Sequence, residues 1–196
     1  MNLLTVNKNY DKRVHIVENF YKDPDAIRQY ALEQEFFDDP GYIGRRTRKQ
    51  FFIPGIKEAF EDIMGHKITR WEEHGMNARF QYNYAGEKLV YHCDEQTWAA
   101  MIYLTPDAPP SCGTSTWQHR GHKVHHNSQI DWSTQQGAEI FPGDTYLDKT
   151  PFDRVDSFGN VYNRLVIFSG GFIHSASEYF GHDMQSGRLW HMFFFD

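Results

Sequence analysis

The chain has 196 residues, 40% of them hydrophobic and 16% aromatic, with 16 Phe, 11 Tyr and 5 Trp. That composition belongs to a chain that buries a core, and it excludes disordered and collagen-like classes. A formal net charge of −6 offers no general attraction to extended nucleic acid or to an anionic membrane, and the length suits one domain, 1–196, around one core.

The opening residues, MNLLTVNKNYDKRV, lack the charged-then-apolar layout of a secretory leader. No apolar run approaches the about 18 residues of a membrane helix, so a soluble, cytoplasmic protein is expected. VHIVENF (14–20) reads as a strand. Asp23 then offers an N-cap and Pro24 a first helical position, and Ile27, Tyr30, Ala31 and Leu32 form an apolar stripe; together they predict a helix over about 24–36. DDPGYIGRRTRKQ (38–50) reads as a loop with a basic tip, and PGIKEAFEDIMG as a second helix with Pro54 at its start and Gly65 just past its end.

From residue 68 the character changes. KITRWEEH, ARFQYNYA, KLVYHCDE, WAAMIYLT, GTSTWQHR, RLVIFSGG and RLWHMFFFD are short β-type runs, most of them separated by Gly, Pro, Asn and Asp. An N-terminal strand and helices (1–67) followed by a β-rich region (68–196) predict a sandwich or barrel with helices packed outside. The stretch 119–163 has little strand signal and reads as loops over one mouth of the barrel.

In YHCDEQTWAAMIYL, an extended chain would point His92 and Asp94 to one face and Cys93 to the other. Alone, such a pair reads equally well as a turn with a surface histidine. Further along, His174 follows an apolar strand and Gly-Gly, and Arg188, 14 residues later, begins the last strand. On that strand Arg188, Trp190 and Met192 alternate with Leu189, His191 and Phe193, so a buried arginine is expected there, in need of a partner.

His-x-Asp, a distant His and then Arg, in this order, resembles the Fe(II)/2-oxoglutarate-dependent dioxygenases, and the prolyl-hydroxylase-like branch in particular. QYNYAGEKLVYHCD and the following MIYL are similar to that branch's approach to its metal motif, and the likeness runs from about 79 to 196, with 119–163 unmatched. The resemblance implies a double-stranded β-helix, or jelly roll, with the N-terminal helices against one sheet. It implies Fe(II) on His92, Asp94 and His174, with no further catalytic residue beyond the metal centre. It also implies 2-oxoglutarate and dioxygen as cosubstrates, and Arg188 on the distal carboxylate. The activity implied is hydroxylation of an unactivated C–H bond with conversion of 2-oxoglutarate to succinate. Two histidines and a carboxylate suit non-haem iron, because they leave coordination positions open; a closed zinc site would want a fourth ligand.

Tyr103 matches a tyrosine that contacts the cosubstrate in that branch, and Tyr82 a second one, with Tyr84 an alternative on the same face. An ordinary core tyrosine would read the same way. Trp190 departs from the branch, which has a small or hydroxyl residue two positions after the arginine. A cupin-like metal protein that does not use 2-oxoglutarate is the main alternative; a binding module without iron is a weaker one.

The basic tip GRRTRK (44–49) offers Arg45 or Arg46 for an anionic group of a small-molecule or peptide substrate. HRGHKVHH (119–126) holds four histidines but no cysteine, and reads as a solvated loop before a second metal site. Cys93 and Cys112 fit a reducing compartment and make no disulfide framework.

Overall fold

The computed structural model describes residues 12–143 and 148–196. Among these, ten strands follow in chain order: β1 (Val14–Val17), β2 (Phe36–Asp38), β3 (Arg45–Thr47), β4 (Arg79–Asn83), β5 (Trp98–Tyr103), β6 (Thr114–His119), β7 (Phe152–Phe158), β8 (Leu165–Ser169), β9 (His174–Ala176) and β10 (Arg188–Phe195). Three α-helices accompany them: α1 (Pro24–Leu32), α2 (Ile56–Met64) and α3 (Gln136–Ile140). The strands make a seven-stranded antiparallel sheet, β1-β8-β5-β10-β4-β3-β2, and a three-stranded one, β7-β6-β9. Phe158 and Phe172, from the side of the small sheet, pack on Val166, Phe168 and Trp190 of the large one. Two sheets closed on each other in this way form a jelly roll.

The helices cover the other face of the large sheet. Asp23 accepts the Ala26 N–H at 3.0 Å and starts α1, while the Gly65 N–H closes α2 on Glu61 O at 2.8 Å. Ala31, Ile56 and Phe60 from these helices are buried with Ile102, Leu104, Ile167, Leu189 and Phe193 of the sheet. Phe60 is the centre of this contact, with ring centroids 5.1 Å from Phe193, 5.6 Å from Phe195 and 5.8 Å from Trp71. No helix among the described residues is long and apolar enough to cross a membrane.

Several expected boundaries move. The segment before residue 68 is part of the sheet, since β1 pairs with β8 and β3 with β4. The basic tip is not a loop: Arg45–Thr47 is β3, hidden in the sequence because a three-residue polar strand has no hydrophobic alternation. α1 ends at Leu32, earlier than expected, and the chain soon enters β2. KITRWEEH is irregular chain with bends, although its Trp71 enters the core. KLVYHCDE carries only an isolated bridge, His92 to His174. The stretch 119–163 contains β7, whose five central residues are all exposed and so lack a period-two signal.

His191 is fully buried on the helix side of β10, its Nδ1 2.7 Å from the Tyr21 hydroxyl. Burial depresses its pKa to about 3. The unfolded chain, with an imidazole near its ordinary value of about 6.5, therefore takes up this proton first. Stability is full above about pH 6.5 and is lost as pH falls towards 3, at up to about 1.4 kcal/mol per pH unit for this one group. In urea titrations at pH 7 and pH 5, His191→Gln is expected to lose less stability between the two than the wild type; an equal loss would count against a neutral buried His191. Phe60→Ala, measured the same way at pH 7, is expected to cost about 3–5 kcal/mol.

Candidate metal centre and cavity

Three donor side chains meet at one end of the space between the sheets. The backbones of His92 and His174 pair in both directions, His92 N–H to His174 O at 3.1 Å and His174 N–H to His92 O at 2.8 Å. Asp94 is tied beside them by its N–H to Gly170 O at 2.8 Å. Gly170 makes room for this carboxylate: a Cβ there would lie 3.1 Å from Asp94 Cβ and would also collide with the Gln96 carbonyl.

Each imidazole has its Nδ1 against a carbonyl, His92 on Val90 O at 3.2 Å and His174 on Phe172 O at 2.8 Å. A carbonyl only accepts, so Nδ1 carries the hydrogen and Nε2 carries the lone pair. Those Nε2 atoms lie 3.3 Å (His92) and 3.4 Å (His174) from the two oxygens of Asp94. Lone pairs of three donors thus face one another, and the buried Asp94 Oδ2 has no hydrogen-bond partner. One ligand atom from each residue lies within 4.8 Å of the others, a set that could hold a metal ion, and it is the only such group among the described residues.

The electrostatics favour the ligand state at His174 and Asp94, and hold a proton at His92 that a metal would displace. Burial, with the charge of His92 adding to it, lowers the His174 pKa to about 4 and keeps it neutral. For Asp94, burial acts upward, but His174 and His92 outweigh it and hold the carboxyl below its ordinary range. His92 is opposed by burial yet raised overall by the hydrogen bond and charge of Asp94. A proton is the cation that partly relieves the cluster when no metal does.

The triad opens into a cavity of about 730 Å³, also lined by Arg188, Thr114, Arg46, Gln81, Tyr179 and Trp190. Arg188 is 2% exposed. Its Nε donates to Cys112 O at 3.1 Å, and its Nη2 to Gly113 O at 3.3 Å and Thr114 Oγ1 at 3.2 Å. The guanidinium carbon lies 4.1 Å from the Trp190 ring centroid and 5.3 Å from that of Tyr103. Trp190, the departure from the branch pattern, is therefore a face on which the cation rests. Among the described residues no carboxylate forms an ion pair with Arg188, and its Nη1 carries no hydrogen bond.

The other expected site residues separate by face. Tyr103 is buried one layer behind the cavity, its hydroxyl donating to Thr114 Oγ1 at 3.0 Å. Tyr82 is a correction: it stands opposite Leu189 and packs edge-on against Phe36 in the helix-side core, because its parity on β4 is that of Leu189 and not of Arg188. Arg45 likewise leaves the cavity face and pairs with Asp38 and Glu87, while Arg46 points inward.

The four histidines of 119–126 scatter. His119 Nδ1 accepts the His122 N–H at 3.1 Å, His122 meets Glu139 at 3.0 Å, His125 stacks on Phe172, and His126 reaches Ser169 Oγ at 2.9 Å. Burial pushes the Cys93 thiol up to about 12, with Asp94 adding to it, which leaves it inert.

Sequence reasoning missed Thr114, Gln81 and Tyr179. Thr114 and Gln81 sit on runs recognised as strands, but which face they show depends on register. Tyr179 follows β9 in irregular chain, where no periodicity applies.

Comparison with known proteins bears on this arrangement. Residues 3–195 match the model of a family described as a family of unknown function, DUF6445. The chain belongs to this family. No curated protein matches its sequence. Similar solved structures include HygX from Streptomyces hygroscopicus with nickel, 2-oxoglutarate and hygromycin B bound, at TM-score 0.57 and 8% identity, covering 92% of this chain and 81% of that one. SnoK, a non-haem alpha-ketoglutarate-dependent carbocyclase from nogalamycin biosynthesis, has a TM-score of 0.55 at 14% identity, with 93% and 78% covered. A prolyl hydroxylase from Trichoplax adhaerens, in complex with a hypoxia inducible factor peptide fragment, has a TM-score of 0.52 at 12% identity, with 93% and 83% covered. At such identities the likeness is one of fold, and the fold is the jelly roll of the 2-oxoglutarate oxygenases.

A displaced Asp94 should be felt as lost metal affinity. Gly170→Ala is expected to weaken Ni(II) binding on the order of 10- to 100-fold, as changes just outside a ligand set do. Isothermal titration against the wild type checks this, and unchanged affinity would show that Asp94 does not need the space.

Proposed function

We propose that the protein is an Fe(II)- and 2-oxoglutarate-dependent oxygenase that hydroxylates an unactivated C–H bond of a small molecule or peptide, with conversion of 2-oxoglutarate to succinate and CO2. One observation carries this reading: a single cavity contains both three mutually facing metal donors and a buried arginine without a carboxylate partner among the described residues. His92 Nε2, the Asp94 carboxylate and His174 Nε2 would hold the iron, and a three-ligand set leaves room for a cosubstrate and dioxygen. Iron bound there would activate dioxygen, the oxidant, with 2-oxoglutarate giving two of the electrons, so the chain needs no acid–base pair and no nucleophile.

The chain's own contribution is placement and exclusion of water. Arg188 would take the distal carboxylate of 2-oxoglutarate through Nη1, its other nitrogens being fixed on Cys112, Gly113 and Thr114. Tyr103 acts one step back, by orienting the Thr114 hydroxyl. Met101, Trp190, Met192 and Phe168 give the cavity an apolar wall, in which a charge-assisted pair is stronger than in water. HygX with nickel and 2-oxoglutarate bound supports the cosubstrate, and the substrates bound to HygX and to the Trichoplax adhaerens enzyme support the substrate range. A cupin-like reaction without 2-oxoglutarate would leave Arg188 buried for no chemical purpose.

Anaerobic titration with Fe(II), then 2-oxoglutarate, should produce the visible metal-to-ligand charge-transfer band of a chelated 2-oxo acid. His174→Ala should lose the band through loss of iron. Arg188→Met should keep iron and weaken 2-oxoglutarate on the order of 10- to 150-fold, the range for losing a charged hydrogen bond. Iron binding with no band in the wild type would remove the cosubstrate from the proposal.

A further inference from the structure

Consecutive residues of β3 leave the sheet on opposite faces, and the two arginines there meet different fates. Arg45 is neutralised by Asp38, 2.9 Å from its Nε, and by Glu87. Arg46 lines the cavity, and among the described residues no carboxylate forms an ion pair with it. Its Nε donates to Gln81 Oε1, and the Tyr42 ring centroid lies 4.2 Å from its guanidinium carbon. Neither terminal nitrogen has a hydrogen-bond partner among the described residues.

This holder is itself fixed. Gln81 Nε2 donates to Asn83 Oδ1 at 2.9 Å and to Ile43 O at 3.3 Å, so the amide cannot turn its oxygen away from Arg46. Asn83 in turn donates to Glu87, the acid that neutralises Arg45. Gly44, at φ +87°, gives Asn83 its place, since a Cβ there would lie 2.7 Å from Asn83 Cγ. One edge and one face of the Arg46 guanidinium are thereby occupied, and the edge bearing its two terminal nitrogens is left open. That edge has the geometry for two parallel hydrogen bonds to an oxyanion. Burial, with Arg79 reinforcing it, draws the pKa of Arg46 down despite Tyr42, Tyr179 and Asp39, so the cation is held at a cost that an incoming anion would relieve.

We propose that Arg46 is the receptor for an anionic oxygen group, carboxylate or phosphate, on the substrate, with Gln81 and Tyr42 holding the guanidinium edge-on for it. The substrate so recognised carries its charge at one end and apolar bulk towards Met76, Phe194 and Trp190. This rests on the reading of Arg188 as the cosubstrate arginine, because two unpaired arginines in one cavity call for two anions.

The test uses the full chain loaded with Ni(II) and saturating 2-oxoglutarate, which fills the metal and Arg188 sites without turnover. Thermal midpoints are read with sodium acetate and with inorganic phosphate as probes, against sodium chloride of equal ionic strength. At least one probe should raise the wild-type midpoint and leave Arg46→Met unmoved. Acetate alone assigns a carboxylate and phosphate alone a phosphate, whereas no shift with either overturns the proposal. Without probe, Arg46→Met should melt at or above the wild type, because an uncompensated charge has been removed. A fall of several degrees would make Arg46 a structural residue and also overturn it.

The charge-transfer titration with Fe(II) separates the two assignments. Arg46→Met should keep the band that Arg188→Met weakens. The reverse result would make Arg46 the cosubstrate arginine and sink this proposal. If the wild type binds no 2-oxoglutarate, the oxygenase reading fails by itself, and the acetate and phosphate arms run on metal-free protein still decide whether Arg46 takes an anion.

Discussion

Two hydrogen bonds between the backbones of His92 and His174 hold together parts of the chain that are otherwise far apart. They force two imidazoles to share one side of a short antiparallel bridge, with ring centroids 4.3 Å apart. Carbonyls behind each ring then fix the hydrogen on Nδ1, so the two Nε2 lone pairs and the Asp94 carboxylate have nowhere to point but at each other. An arrangement of this kind is repulsive in the absence of a cation. The fold maintains it by placing the repulsion next to a rigid strand, β8, and a glycine that only a side-chain-free residue can fill. The candidate metal centre is thus a local conflict imposed by a global pairing.

The large sheet extends the same logic by using its two faces for two purposes. On β10, Leu189, His191 and Phe193 face the helices and make core, while Arg188, Trp190 and Met192 face the cavity. Stability and chemistry are therefore one residue apart along the strand. A register slip of one residue would exchange them, placing Arg188 in the aromatic core and Leu189 in the cavity. Helix α2 guards against this, because Phe60 packs on Phe193 and Phe195 from one side only.

Charge is distributed with the same two-sidedness. The protein carries more acid than base, 26 against 20 residues, so acids to pair with are plentiful. On the helix face and the outside they are used: Arg45 with Asp38 and Glu87, Lys67 with Glu61, Arg164 with Glu18. Inside the cavity, Arg188 and Arg46 are held by carbonyls, a hydroxyl, an amide and aromatic faces, all neutral partners. Neutral partners position a guanidinium without satisfying its charge. This pattern is the ground on which anions are proposed as the ligands of both arginines.

The sequence by itself determined the β-rich core, the two helices with their caps, and the order His92, Asp94, His174, Arg188, because each rests on local spacing: period two for strands, capping residues for helices, alternate positions for His92 and Asp94. It also exposed the special status of Arg188, a charge in an apolar alternation. Only the tertiary structure decided which face each strand presents. Tyr82 and Gln81 are neighbours on one strand, and nothing local says that the tyrosine belongs to the core and the glutamine to the cavity; the pairing of β4 with β10 says it. Arg45 and Arg46 are divided in the same way by the pairing of β3 with β4. The strands β2, β3 and β7 were invisible for a related reason, since short or solvent-facing strands are held by partners far away in sequence and need no hydrophobic period of their own. Local chemistry is written in the order of residues, whereas facing is a property of pairs, and pairs exist only once the chain has folded.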